Sequence, residues 1–180
     1  MKNIPKPDDQ QLLVNEPPLA RIIPDNNLIW HLHENIKNTI NDLQNLTEQE
    51  LLYRYAPGKY SVKEIVIHLI DMERVYNYRM LRIARNDPSP MEGFDAEDYV
   101  KASGADHRTI KDLLDELSSQ RQATITLLNS IPVENFSRSG LVNGHSATVS
   151  ALAYHIAGHE LHHIKIIKER YLNALFYDLP

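Results

Sequence analysis

The chain has 180 residues, of which 42% are hydrophobic and 24% are charged, and its formal net charge at pH 7 is −5. This length is usual for a single domain with a buried core. The acidic balance argues against a nucleic-acid partner, because no window of the sequence is dominated by the lysines and arginines that phosphate binding requires. The sequence contains no cysteine, which excludes disulfides, thiolate metal ligands and a cysteine nucleophile.

No run approaches the roughly 20 apolar residues of a membrane-spanning helix. The N-terminal sequence MKNIPKPDDQQ also lacks the apolar core of a secretory signal. We therefore expect a cytoplasmic enzyme or binding protein without a membrane partner.

Residues 1–25 are rich in proline, which fixes its own backbone torsion and favours extended structure in the residue before it. This composition predicts an extended N-terminal arm. The arm carries large aliphatic side chains at Leu12, Leu13, Val14, Leu19, Ile22 and Ile23. Since a free tail is usually polar, we expect the arm to pack against helices of its own bundle or of a second subunit, which leaves a homodimer open.

After the arm, apolar residues recur at the three- and four-residue steps of amphipathic helices. Four long helices are predicted, at 26–45, 61–86, 109–130 and 148–174, with a short helical turn at 47–52. Ser61 and Glu64 have the spacing of a capping box at the start of the second long helix. A long connection, residues 87–108, separates the second long helix from the third, and no alternating strand is evident. We therefore predict an all-α fold in which residues 26–180 form one four-helix-bundle domain.

The last helix has two histidines on the face that should point into the bundle. Its seam positions step by four and three residues: Leu152, Ile156, His159, His163, Ile166 and Arg170. Histidines four residues apart on a helix can chelate one metal ion, because their side chains point the same way. Buried imidazoles also need a ligand or a hydrogen-bond partner to offset their desolvation.

The second helix has one histidine in a similar position. His68 lies in the apolar stretch IVIHLI, and helices of a bundle commonly converge on a metal ion in the core. His68, His159 and His163 are therefore the predicted metal ligands. Three protein ligands leave a coordination position open, which is typical of a catalytic metal site.

Other interpretations stay open for single histidines, because a lone histidine on an apolar helix face is usually a core residue with satisfied hydrogen bonds. His155 and His162 lie close enough to the seam to replace a chosen ligand. The remaining histidines lack such a context, and we expect them to be solvated at the surface: His31, His33, His107 and His145.

Residues 159–163 read HELHH, which matches the H-E-x-x-H motif of zinc proteases. The usual continuation is missing, since Ile166 stands where a glycine is expected, so we consider a protease the less favoured interpretation. Glu160 remains a candidate for a base that directs water. Asp71 lies one turn from His68 and is a candidate to accept a hydrogen bond from its ring, although a solvated helix acid explains it equally well.

With IVIHLIDMERVYNYRMLRIARND, PMEGFDAEDYV and YHIAGHELHHIKIIKERY, the chain resembles the DinB superfamily, and especially its YfiT-like metal-dependent hydrolases, over roughly residues 26–174. The resemblance implies a four-helix bundle with one nickel or zinc ion on three histidines, which fall on His68, His159 and His163. Relatives of this kind transfer thiols such as bacillithiol, isomerise maleylpyruvate with a thiol cofactor, or are presumed hydrolases.

We accordingly expect an enzyme that uses zinc or nickel to act on a small molecule by hydrolysis or thiol transfer. A metal- or ligand-binding module without catalysis is the alternative. The acidic and aromatic connection at residues 91–99 is expected to line a substrate cleft.

Overall fold

The computed structural model describes residues 2–14 and 16–172. Six α-helices are described: α1 (Leu28–Leu43), α2 (Glu48–Leu52), α3 (Val62–Ala84), α4 (Ala96–Ser103), α5 (Ile110–Ser130) and α6 (Val149–Ile166). A π-helical segment, Ile167–Leu172, continues α6, and the predicted end of the last helix near residue 174 lies outside the described residues. Short 3-10 helices lie at Leu19–Ile22, Ala105–His107 and Val133–Ser137.

Local hydrogen bonds fix where the helices begin. The predicted capping box is present at the start of α3, where Ser61 and Glu64 satisfy each other's backbone N–H groups. Thr47 and Glu50 form a second capping box before α2. The hydroxyl of Thr148 accepts a hydrogen bond from the first turn of α6 and so sets the start of the helix that carries two of the predicted ligands.

The four long helices α1, α3, α5 and α6 form a bundle, which confirms the predicted all-α fold. Helix α3 packs against α5 and α6, and α1 packs against the same two helices. Helices α1 and α3 therefore lie diagonally across the bundle, since each packs against α5 and α6. The long connection contains α4, which packs along the outside of α3.

The prediction that the chain has no strand was wrong. Strands β1 (Ser139–Val142) and β2 (His145–Thr148) form an antiparallel hairpin directly before α6. Its turn residues Asn143 and Gly144 both have positive φ, 47° and 77°, as tight hairpin turns require. Met91 exchanges backbone hydrogen bonds with Leu141 and Asn143, which ties the long connection to the hairpin.

The N-terminal arm packs on α6, but it is not extended throughout, because Leu19–Ile22 form a 3-10 helix. Its side chains Ile4, Leu19, Ala20 and Ile23 are buried. The hydroxyl of Tyr154 in α6 also donates to the carbonyl oxygens of Ile4 and Asp25, at 2.8 Å and 3.2 Å. Among the predicted apolar contacts, those of Val14 and Ile22 are not made, since both side chains are exposed.

Gly158 allows the arm to approach the α6 backbone closely. A Cβ atom built at this position would lie 2.0 Å from the carbonyl oxygen of Leu19, well inside van der Waals contact. Glycine is therefore required here by the proximity of the arm. None of the helices in the described parts of the chain is both long enough and apolar enough to cross a membrane.

Candidate metal centre

Three imidazole nitrogens converge between α3 and α6. The Nε2 atom of His159 lies 3.2 Å from Nε2 of His68 and 3.0 Å from Nε2 of His163. One ligand atom from each of the three residues lies within 4.8 Å of the other two. The structure thus brings together the three residues that the two helix seams predicted as a set.

This arrangement fits a tetrahedrally coordinated transition ion. Two nitrogens bound at zinc–nitrogen distances of about 2.0–2.1 Å lie roughly 3.3 Å apart, close to the separations around His159. Each neutral imidazole has only one N–H group. The rings therefore cannot satisfy one another fully through Nε2, whereas an ion would use all three lone pairs.

Burial keeps these rings in the neutral form that binds metal. Desolvation lowers the pKa of His68 to about 4 and that of His163 to about 3. The pKa of His159 also lies well below its ordinary value, because of desolvation first and then the charges of the neighbouring histidines. At neutral pH the ligands need lose no proton before an ion binds.

The three histidines differ in their exposure. His159 is only 9% exposed, whereas His68 and His163 are half-buried. The ring of Tyr60 lies beside His68, with 5.8 Å between ring centroids. The less buried side of the cluster is therefore that of His68 and His163.

The two alternate histidines flank the cluster without joining it. His155 is buried and stacks on His159, with a centroid distance of 5.6 Å, and its other neighbour is the edge of Tyr76. Desolvation lowers the pKa of His155 to about 4. His162 is half-buried beside His163, with a centroid distance of 5.3 Å.

The four histidines expected at the surface divide into two groups. His33 and His107 are exposed, as predicted. His31 and His145 are partly buried, so surface solvation is wrong for them. The Nε2 atom of His31 lies 3.0 Å from a carboxylate oxygen of Asp25, which accounts for its position.

Glu160 does not point toward the histidine cluster's ligand atoms. Its buried carboxylate accepts hydrogen bonds from Arg121 at 2.8 Å and from Thr39 at 2.7 Å. The guanidinium of Arg121 also forms two bonds of 2.9 Å to Glu73. The geometry therefore gives Glu160 a place in a buried ion-pair network and does not support a role as a base.

Asp71 likewise has a different partner from the one expected. Its carboxylate accepts a hydrogen bond from Arg74 at 3.3 Å, so it orients a surface arginine instead of the His68 ring. The sequence reasoning missed Arg121, although one signal was present. Arg121 lies four residues after Leu117 and four before Ile125, both buried, and thus on the apolar face of α5.

A bundle of four long helices, with three imidazoles meeting between two of them, defines a helical-bundle protein with a candidate metal centre. The DinB superfamily model matches residues 24–167, and the chain belongs to this superfamily. No curated protein matches the sequence.

Among solved structures, the chain is similar to YfiT from Bacillus subtilis, described as a probable metal-dependent hydrolase with an unusual four-helix bundle topology. The two share 17% sequence identity and a TM-score of 0.76, over 95% of this chain and 94% of the other. At this identity the likeness establishes the fold.

Proposed function

We propose that the protein is a metal-dependent enzyme that holds one divalent zinc or nickel ion on His68, His159 and His163 and acts on a small molecule. The observation that carries the proposal is the meeting of the Nε2 atoms of three neutral imidazoles between α3 and α6. Imidazole ligands favour zinc and nickel over calcium and magnesium.

The three histidines have different tasks. His159 lies deepest and contacts both other rings, so it fixes the position of the ion relative to the bundle. His68 and His163 are less deeply buried, and three protein ligands leave a coordination position for a further ligand. An ion in such a site lowers the pKa of a bound water or thiol and polarises an electrophile.

Hydrolysis is the first reaction to test, because the structurally similar YfiT is described as a probable hydrolase. Transfer of a low-molecular-weight thiol such as bacillithiol is the second, because the same site would lower the pKa of a thiol as it does that of water. Both reactions use a small-molecule substrate and one ion. A panel of esters, together with a panel of electrophiles offered with bacillithiol, separates them.

The metal claim is tested by elemental analysis and X-ray absorption on the purified chain. We expect about one zinc or nickel ion per chain with three nitrogen ligands, and loss of the ion in His68→Ala, His159→Ala and His163→Ala. The exposed histidines supply matched controls, since His33→Ala and His107→Ala should keep the ion. Oxygen-only coordination, or no uptake of added metal, would refute the proposal.

Two further outcomes are informative. If His155→Ala or His162→Ala empties the site while His159→Ala or His163→Ala does not, the ligand assignment on α6 is wrong. If the ion is bound as proposed and neither substrate panel turns over, the result favours the alternative, a metal-binding module without catalysis.

A further inference from the structure

A cavity lies beside α3 and α6, apart from the three histidines. It has a volume of about 190 Å³ and is bounded by α3, α6, the N-terminal arm, the hairpin and the connection before α4. None of the three predicted metal ligands lines it. Its apolar lining includes Leu13, Met72, Phe94, Val142 and Leu152.

Arg79 brings a positive charge to this cavity. The residue is only 8% exposed, and its guanidinium carbon lies 5.7 Å from the ring centroids of both Tyr76 and Phe94. Among the described residues its guanidinium makes one hydrogen bond, from Nη2 to the carbonyl oxygen of Glu92 at 3.3 Å. In the described part of the chain no carboxylate forms a salt bridge with Arg79, and burial lowers its pKa. A buried guanidinium with several unused donors favours an anionic ligand.

Tyr76 adds an unpaired hydroxyl. The residue lines this cavity and a smaller void beside Arg121, and its buried hydroxyl has no hydrogen-bond partner among the described residues. Burial, and then the negative charge of Glu16, raise the pKa of Tyr76, whereas the charge of Arg79 lowers it, so these three groups lie near one another. A buried hydroxyl without a partner is unfavourable until a ligand supplies one.

Glu16, on the arm, is an acidic group that interacts electrostatically with both residues of this pair. It lines the cavity, and the residue as a whole is exposed. Partial burial of its carboxyl group raises the pKa of Glu16, whereas the charge of Arg79 lowers it. Its carboxylate is thus the group with which an anionic ligand competes for Arg79.

We propose that this cavity binds a small organic carboxylate, with the charge paired to Arg79, an oxygen bonded to the Tyr76 hydroxyl, and an apolar body among Phe94, Met72 and Leu152. An apolar cavity of about 150 Å³ accommodates benzene, so the size suits a single ring or a short aliphatic chain. The proposal does not depend on the metal ion, because the binding groups are separate from the three histidines.

Isothermal titration of the full-length chain with benzoate, benzamide and benzylamine tests the ligand class, with and without added zinc. We expect benzoate to bind in both states, and the neutral amide and the amine to bind at least tenfold more weakly. Equal binding of all three, preferential binding of benzylamine, or no binding would overturn the proposal. Metal content of the same samples, measured separately, keeps this outcome distinct from failure of the metal site.

Three variants locate the site. Arg79→Gln should weaken benzoate binding roughly tenfold or more, whereas Arg85→Gln, an exposed arginine on the adjoining turn, should leave it unchanged. Tyr76→Phe should weaken binding several-fold. It should not lower the melting temperature of the free protein, because the Tyr76 hydroxyl has no hydrogen-bond partner among the described residues that its removal would leave unpaired.

Glu16→Gln is expected to have the opposite effect on benzoate binding. Removing the competing negative charge should tighten benzoate binding at least twofold at low ionic strength. Since Glu16 is exposed, this variant should fold normally. It therefore still tests whether the cavity binds an anion if Arg79→Gln proves unstable. Weaker benzoate binding in Glu16→Gln would contradict the assignment of the cavity to an anion.

Discussion

Replacing Gly158 by Ala tests how the N-terminal arm is held on α6. The added Cβ would lie 2.0 Å from the Leu19 carbonyl oxygen and 2.6 Å from its carbonyl carbon, whereas ordinary contact begins at 3.4 Å. The arm must therefore retreat by about 1.4 Å, the difference between 3.4 and 2.0 Å. This retreat loosens the buried contacts of Leu19 and Ala20. Overpacking of this kind costs about 1–3 kcal/mol, and we expect about 2 kcal/mol here, since backbone must move.

A chain lacking residues 1–24 provides the matched background. Without the arm, the new methyl group no longer clashes with the carbonyl group of Leu19. Alanine is then favoured over glycine inside a helix by about 1 kcal/mol. Gly158→Ala should thus destabilise the full chain and stabilise the shortened one, while removal of the arm alone should lower stability. Urea denaturation of the four proteins gives the coupling energy, which we expect to exceed about 2 kcal/mol.

An equal loss of stability in both backgrounds would refute the reasoning, because the arm would then not be the group that the methyl meets. Trypsin gives a second measurement on the full-length chain, which remains usable if the shortened chain does not fold. Arg21 is exposed on the arm, and a displaced arm should be cut there faster in Gly158→Ala than in the parent. Sedimentation of the same proteins tests whether the arm also supports a homodimer, which stays a prediction.

Acid should destabilise the metal-free protein. The folded-state pKa values of His68 and His155, about 4, lie below the unfolded value of 6.5, so the unfolded chain takes up protons first. Stability is therefore full above about pH 6.5 and falls as the pH drops, by about 2 kcal/mol for each such histidine between pH 7 and pH 5 in urea titrations. A flat profile would mean that the rings are not buried in neutral form. Arg121→Met should cost about 3–5 kcal/mol, because it leaves two buried carboxylates unpaired, whereas Arg85→Met at the surface should cost little by the same measurement. Zinc at a hundredfold excess over its dissociation constant should add about 2.7 kcal/mol to the stability of the parent, seen as a higher melting temperature, and nothing to that of His159→Ala.

The histidine cluster could be anticipated from sequence because its members break a strong local pattern. Imidazoles at positions 159 and 163 replace the aliphatic residues that the seam of α6 requires, and His68 interrupts an apolar run in the same way. Patterns of this kind survive folding, since the face that a helix buries is set by its own periodicity. The helix boundaries could be predicted from the sequence for a related reason, because capping residues act within one turn.

Features formed by segments that are distant in the sequence could not be predicted from it. Arg121 breaks the apolar face of α5 just as the histidines break theirs, but its partners Glu73 and Glu160 lie 48 and 39 residues away. The carboxylate cavity combines five segments of the chain, so no local pattern indicates it. The hairpin was missed although Asn143 and Gly144 form a typical turn sequence, because its four-residue strands are too short to establish an alternating pattern.

The first histidine and the glutamate of the H-E-x-x-H match lie on different faces of α6. Successive residues of a helix point about 100° apart, so His159 faces the cluster while Glu160 faces Arg121 and Thr39. Glu160, Glu73 and Arg121 carry a formal net charge of −1, and with His159 they line one small void. A buried negative charge beside His159 would lower the free energy of a divalent cation held on the three imidazoles. In the proposed metal site, the glutamate of this motif would therefore stabilise the ion electrostatically instead of acting as a base.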